Sequence, residues 1–206
     1  SSTTKYHPVF LVWCGDSWPA FIDTLSGSSL TCVGDGTWRD AEEYSCDEDT
    51  DDATTVVAVR TNSPLVSLYP RTSPAASTYE LPSMPHLFVD VAYHHTVSIG
   101  PYVVPHDTCC LACLRTRINY LWGDDIPPFR PQMMDSPQRV AALLEHEISH
   151  MRNGLSELCG ATSVINFDSR SWTMHPLLRS PWCPACGHHH TDDVSIVELE
   201  RTQIHG

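Results

Sequence analysis

An unbroken apolar run, Val9-Phe10-Leu11-Val12-Trp13, predicts a strand buried on both faces. A loop follows, then a short helix around Pro19 to Leu25 that ends near Gly27, and Leu30 to Val33 supplies a second strand. Val56-Val57-Ala58-Val59 is another short apolar run of the kind used inside a parallel sheet. The stretch from Ser63 to Pro85 is rich in proline, serine and threonine and reads as a long loop wrapping the surface. Leu87 to Ala92 and Val97 to Val104 form two strands joined by a turn at Tyr93 to Thr96. Helical signals follow: Cys110 to Leu121, then a second helix that Ser136 can cap, with Pro137 in its first turn and Gly154 at its end. A hairpin from Thr162–Phe167 to Trp172–His175 closes the series. Strand, helix, strand and strand in the first half describe an incomplete doubly wound α/β domain. No internal repeat is visible.

Composition narrows the classes. A chain of 206 residues, 41% apolar, can build one large domain, or one domain with a small metal module. Its net charge of −13 argues against nucleic acid, which requires a basic face to neutralise phosphates. No stretch is apolar and long enough to span a membrane, and Ser1-Ser2-Thr3-Thr4-Lys5 has no secretory pattern. Nine cysteines, an odd number with metal-like spacing, suit a reducing cytoplasm better than a disulfide framework. Lys5 is the only lysine, so a mechanism built on an interior lysine, such as a P-loop contact, is excluded. The run Asp47-Glu48-Asp49-Thr50-Asp51-Asp52 reads as a solvated loop, with a cation or basic-partner site as the alternative.

Two C-x-x-C pairs, Cys110-Leu111-Ala112-Cys113 and Cys183-Pro184-Ala185-Cys186, carry the strongest chemical signal. Each short loop lets both of its sulfurs reach about 2.3 Å from one ion, and four thiolates complete a closed, structural zinc site. The alternatives are unrelated reduced pairs or redox dithiols. Pro184 stiffens the second turn and Gly187 permits its tight backbone. Cys109 competes with Cys110 for the metal, but the spacing selects Cys110. Cys14, Cys32, Cys46 and Cys159 read as buried or incidental, with a thioester-forming cysteine among them as the functional alternative. His188-His189-His190 reads as an uninvolved surface tract, a tag remnant or weak metal site being the alternatives.

Two tempting motifs read as empty. His146-Glu147-Ile148-Ser149-His150 spells the H-E-x-x-H of zinc peptidases, but Val140, Leu144, Ile148, Met151 and Leu155 form the stripe that must face the core. At about 100° per residue, His146 falls nearly opposite that stripe and His150 to its flank, while Glu147 lies close to it. No third ligand appears, since the tenth residue after His146 is Ser156. After the first strand, Cys14-Gly15-Asp16-Ser17-Trp18-Pro19 offers one glycine where a dinucleotide loop needs three, and Trp18 should block a close approach to phosphate. The chain thus reads as a nucleotide fold whose nucleotide site is lost.

Ile99-Gly100-Pro101-Tyr102-Val103-Val104-Pro105, running through Thr108 into Cys110-Leu111-Ala112-Cys113-Leu114, resembles the ThiF-like proteins of azoline-forming peptide biosynthesis, relatives of ubiquitin-activating enzymes. His175-Pro176-Leu177 through Pro181 and Cys183-Pro184-Ala185-Cys186-Gly187 resembles the second zinc half of the same family, and Ser136 to Gly154 its intervening helix. The match is strong over 87–187 and rests on strand order over 1–86. The resemblance implies an incomplete Rossmann-like ThiF-type domain stapled by a four-cysteine zinc site. It divides the chain into a degenerate Rossmann-like half (1–86), a ThiF-like zinc-binding half (87–187) and a tail (188–206).

The resemblance also implies a function. In this family a YcaO-type cyclodehydratase activates backbone amides with ATP, and the ThiF-like protein presents the precursor peptide and stimulates its partner without adenylating. The expected role is a non-catalytic scaffold in a cytoplasmic thiazole/oxazole synthetase, with metal ligands Cys110, Cys113, Cys183 and Cys186 and ATP used by the partner. A flavin dehydrogenase and a second copy of the chain are further expected associates. An active adenylating enzyme and an H-E-x-x-H peptidase are the alternatives. Family members carry an N-terminal winged-helix element that grips the leader peptide by strand addition. This chain leaves no room for it before the first strand, so leader binding is expected on another chain, in a missing segment or in a degenerate form.

Overall fold

The computed structural model describes residues 6–46, 54–73, 79–123, 126–154 and 157–187. Its elements run β1 (His7–Cys14), α1 (Pro19–Leu25), β2 (Leu30–Gly36), α2 (Trp38–Cys46), β3 (Thr55–Arg60), β4 (His86–Asp90), β5 (Thr96–Val103), α3 (Leu111–Leu121), α4 (Pro137–Arg152), β6 (Ala161–Asn166) and β7 (Ser171–Pro176). The seven strands form one sheet in the order β2-β1-β3-β4-β5-β6-β7. β2, β1, β3 and β4 are parallel, and β5, β6 and β7 continue the sheet antiparallel.

The apolar runs mark strands covered on both faces. Val9 and Leu11 of β1 point to one side with Val57, Val59, Leu87 and Val89, where α1 and α4 pack through Phe21, Leu25, Val140, Leu144 and Ile148. Phe10, Val12 and Cys14 point to the other side with Val56, Ala58 and Phe88, under α2 and the first turn of α3. The result is a mixed α/β layer structure with helices on both faces. Gly100 and Pro101 stand opposite Phe88 at a register shift between β4 and β5, a bulge where a residue without an N–H does no harm to the ladder. β7 is an edge strand, exposed along its length, with Trp172 and Met174 facing outward.

Four sequence expectations are corrected. Helix α2 has no clear signal in the sequence, because its apolar anchors Trp38, Ala41 and Tyr44 are few; it is started by a reciprocal cap. The Asp40 carboxylate accepts from the Thr37 N–H and hydroxyl at 2.7 Å, and the Asp40 N–H donates back to Thr37 Oγ1 at 3.4 Å. The stretch from Ser63 to Pro85 does more than wrap the surface, because a one-turn 3₁₀ helix, Leu65–Ser67, drives Leu65, Leu68 and Tyr69 into the core. Ser136 precedes α4 but its side chain makes no capping bond, and Pro137 alone starts the helix. Trp18 does not guard a phosphate approach: it is buried and stacked on Phe21, with ring centroids 4.9 Å apart. The acidic run 47–52, Leu155 and His188-His189-His190 lie outside the described residues.

Candidate functional site

α3 follows β5 after a short connection in which Thr108 Oγ1 accepts the Val104 N–H at 2.8 Å, and this turn delivers Cys110 to the position just before the helix. The Cys113 and Leu114 amides bond to the Cys110 carbonyl, so Cys110 and Cys113 sit one turn apart with their side chains on one side. The second pair follows β7. Leu177 is buried and its N–H donates to the Gly160 carbonyl, which aims residues 178–187 back across the start of α3. The Gly187 N–H to Cys183 carbonyl bond, 2.9 Å, closes the second turn.

These two turns bring Cys110, Cys113, Cys183 and Cys186 together, all buried, with their sulfurs within 4.8 Å of one another. Sulfur separations are 3.6 Å for Cys110–Cys183, 3.5 Å for Cys113–Cys186 and 4.0 Å for Cys110–Cys113. A tetrahedral ion with metal–sulfur bonds of about 2.3 Å sets its ligands about 3.8 Å apart, so the donor set fits zinc. Contact with Cys110 and the other cysteines pulls the Cys183 thiol far below its ordinary range, and contact with Cys110 chiefly lowers Cys113 to about 6. Cys110, whose sulfur touches Cys113 and Cys183, is raised in return. Four thiols this close compete for their protons, and a divalent cation would hold all four as thiolates by displacing those that remain.

Groups around the sulfurs hold the turns. The Ser180 N–H donates to Cys113 Sγ at 3.4 Å. Arg179 Nε donates to the Cys186 carbonyl at 3.1 Å, and its other guanidinium nitrogens reach the Cys186 and His106 carbonyls, tying the two halves of the site together. Cys109 stays out of the cluster, with its sulfur turned to the Cys159 carbonyl at 3.9 Å.

The remaining candidates are scattered. Burial pushes the Cys14 thiol up to about 12 and Cys109 to about 11, far from the range of a working nucleophile. Cys32 is half-buried and Cys159 exposed. On α4, His146 is exposed and His150 half-buried, with ring centroids 4.3 Å apart, while Glu147 is buried against the core and its carboxyl raised by that burial. Among the described residues the four cysteines are the one cluster of three or more donors close enough to share an ion.

The carboxyl ends of β1 and β3 are where a doubly wound sheet opens its ligand crevice. Here the two loops are fastened to each other. Gly15 adopts φ +119°, and a Cβ on it would lie 2.6 Å from both Asn62 Oδ1 and Thr61 Oγ1. The Asp16 N–H donates to Asn62 Oδ1 at 2.9 Å, Thr61 Oγ1 to the Asp16 carbonyl at 2.8 Å, and Ser63 Oγ to the Cys14 carbonyl at 2.7 Å. Asn62 Nδ2 also donates to the Asp16 carboxylate at 2.8 Å and to the Phe129 carbonyl at 2.9 Å, drawing the segment before α4 over the same edge. Sequence does not single out Asn62, since a lone asparagine after an apolar strand carries no signal. Beside it, Arg60, only 1% exposed, pairs with Asp90 at 2.9 Å across the ends of β3 and β4.

No family model matches the chain, and no curated protein matches it. Solved structures share its fold. A heterocyclase in complex with substrate and cofactor aligns with a TM-score of 0.55 at 16% identity, over 89% of this chain and 26% of that one. The heterocyclase TruD aligns at 0.51 and 15% identity, over 89% and 28% of the two chains. E. coli MccB aligns at 0.53 and 12% identity, over 93% and 68%. The likeness is one of fold, and the chain spans just over a quarter of the length of the two heterocyclases. No helix among the described residues is long and apolar enough to cross a membrane.

Proposed function

We propose that this chain is a non-catalytic, zinc-stapled ThiF-like subunit that works with a YcaO-type cyclodehydratase on a ribosomal precursor peptide to form thiazolines or oxazolines. The observation that carries the reading is the pairing of two features in one fold. A four-cysteine cluster, fitted to zinc, joins α3 to the residues after β7, while the crevice at β1 and β3 is fastened by Asp16, Thr61, Asn62 and Phe129. Such a chain keeps the frame of an adenylating fold without room for its phosphate loop. The motifs around both cysteine pairs resemble the azoline family, and heterocyclases are among the proteins of like fold, which supports the same reading.

Cys110, Cys113, Cys183 and Cys186 would hold the ion, which supplies structure and no open position for substrate. The chain's own part is to present a rigid surface to the cyclodehydratase, which uses the ATP. An active adenylating enzyme is disfavoured by the packed Gly15 and by the lack of an interior lysine.

The test is cyclodehydration of the precursor peptide by its YcaO protein and ATP, with and without this chain, followed by mass spectrometry. The expected result is loss of water from the precursor that requires, or is accelerated by, this chain, with no ATP hydrolysis by the chain alone. Unchanged cyclodehydration together with no binding to the YcaO protein overturns the reading.

A further inference from the structure

Helix α3 holds Cys113, follows directly on Cys110 and has no side-chain cap. Cys110 occupies the position before its first residue in extended geometry and makes no side-chain capping bond, since its sulfur is turned toward the other three. The Leu111 N–H is one of the unpaired amides that every helix start leaves behind, and Leu111 is fully buried, so the amide needs a protein acceptor. That acceptor is the Tyr69 hydroxyl, 3.2 Å away and 42 residues earlier in the chain. Tyr69 lies in the connection between β3 and β4 and is itself buried.

The hydroxyl is aimed from behind. Tyr69 Oη is 2.7 Å from His86 Nε2, and His86 Nδ1 is 3.0 Å from the Met84 carbonyl. A carbonyl can only accept, so Nδ1 carries the imidazole hydrogen and Nε2 presents its lone pair. The tyrosine hydroxyl therefore donates to His86, and its own lone pairs face the Leu111 N–H. The opposite neutral tautomer would set the Nδ1 lone pair against the Met84 carbonyl where water has no access, and full burial disfavours the imidazolium. Trp38 packs on both rings, 4.8 Å from His86 and 5.6 Å from Tyr69 between centroids, which leaves the relay little freedom to turn.

We infer that Tyr69, held by His86, is a positioning residue of the metal centre. Its hydroxyl takes the capping role that Cys110 cannot fill, and so fixes the direction in which Cys110 and Cys113 present their sulfurs. The inference rests on the metal-binding reading above. Displacing the Leu111 amide displaces the turn in which Cys113 N–H bonds to the Cys110 carbonyl, and both sulfurs move with it.

Tyr69→Phe removes one oxygen and keeps the ring. In the full chain loaded with zinc, release of the metal to a chromogenic chelator should be at least about tenfold faster than in the wild type, the scale found for groups that orient metal ligands. The cobalt-substituted variant should show displaced d–d and thiolate charge-transfer bands, and the Leu111 amide should exchange faster with deuterium. Phe10→Leu loosens the same core layer and alters none of the relay's hydrogen-bonding groups. It should lower the unfolding temperature and leave metal release and the cobalt spectrum at wild-type values. Release from Tyr69→Phe no faster than from Phe10→Leu, with an unchanged cobalt spectrum, overturns the inference while leaving the metal reading intact. A wild-type chain that takes up neither zinc nor cobalt overturns both.

Discussion

A methyl group at Gly187 has nowhere to go. A Cβ there would lie 2.5 Å from the Cys183 carbonyl oxygen, 2.7 Å from the Pro181 carbonyl oxygen and 2.9 Å from the Cys183 nitrogen. All three are backbone atoms of the turn that carries Cys183 and Cys186, so no side chain can swing aside. Relief requires opening the Gly187 N–H to Cys183 carbonyl bond and rotating Cys183 away from its partners. Forcing one extra methyl into a packed site costs about 1–3 kcal/mol. Because the sulfurs fix this turn, the cost of Gly187→Ala should fall on metal binding, a loss of roughly 5- to 150-fold in zinc affinity. The assay is competitive titration against a chelator of known affinity, with thermal unfolding measured alongside. Gly160→Ala is the matched control, since the nearest atom to its methyl is the Leu177 carbonyl oxygen at 4.0 Å, and it should change stability by no more than about 0.5 kcal/mol. A Gly187→Ala chain that holds zinc as tightly as the wild type would refute the claim that close backbone approach shapes this turn.

Cys183→Ser should abolish zinc binding and cost most of the folding free energy, about 5–15 kcal/mol for a typical domain. A well-folded, metal-free Cys183→Ser chain would contradict that. Asp90→Ala should destabilise by about 3–5 kcal/mol in chemical denaturation, because it strands the buried Arg60 guanidinium. Arg60→Met combined with Asp90→Ala should recover part of the loss, and a strictly additive double variant would argue against the pair. Burial lowers His86 to about 4, against about 6.5 for an unfolded histidine. Below pH 6.5 the unfolded chain therefore binds a proton that the folded chain refuses until about pH 4. The stability this confers is complete above pH 6.5 and is lost on acidification across that window, by about 3 kcal/mol. The wild-type stability minus that of His86→Gln should fall over the same range, and a difference flat with pH would remove His86 as its source.

Much of the sheet is legible because burial on both faces writes itself as apolar runs: Val9 to Trp13 and Val56 to Val59 are strands on sight. The cysteine pairs are legible for a different reason, since C-x-x-C is a local spacing rule that survives without any knowledge of the fold. What escaped was fixed by partners far away. The spacing of Leu65, Leu68 and Tyr69 would suit a buried turn, but the surrounding prolines and serines mask it. In sequence Trp18 is a bulky residue beside a loop, whereas its position just before α1 turns it into the core against Phe21. Asn62 matters through Asp16 and Phe129, which lie 46 and 67 residues away, and no local pattern announces such a bridge. The Tyr69–His86 relay is hidden for the same reason.

Cys110 and Cys183 stand 73 residues apart, which gives the centre a history as well as a geometry. A ribosome adding about 5–20 residues per second needs roughly 4–15 s to cover that interval. Throughout it the nascent chain carries a two-thiol half-site at the head of α3, able to hold a cation loosely and equally able to be oxidised or to lend it to another protein. The turn that would lock the domain emerges only after α4, β6 and β7 have been made. Supply of metal and of reductant during synthesis, more than the finished protein's affinity, would then set how much of this chain matures.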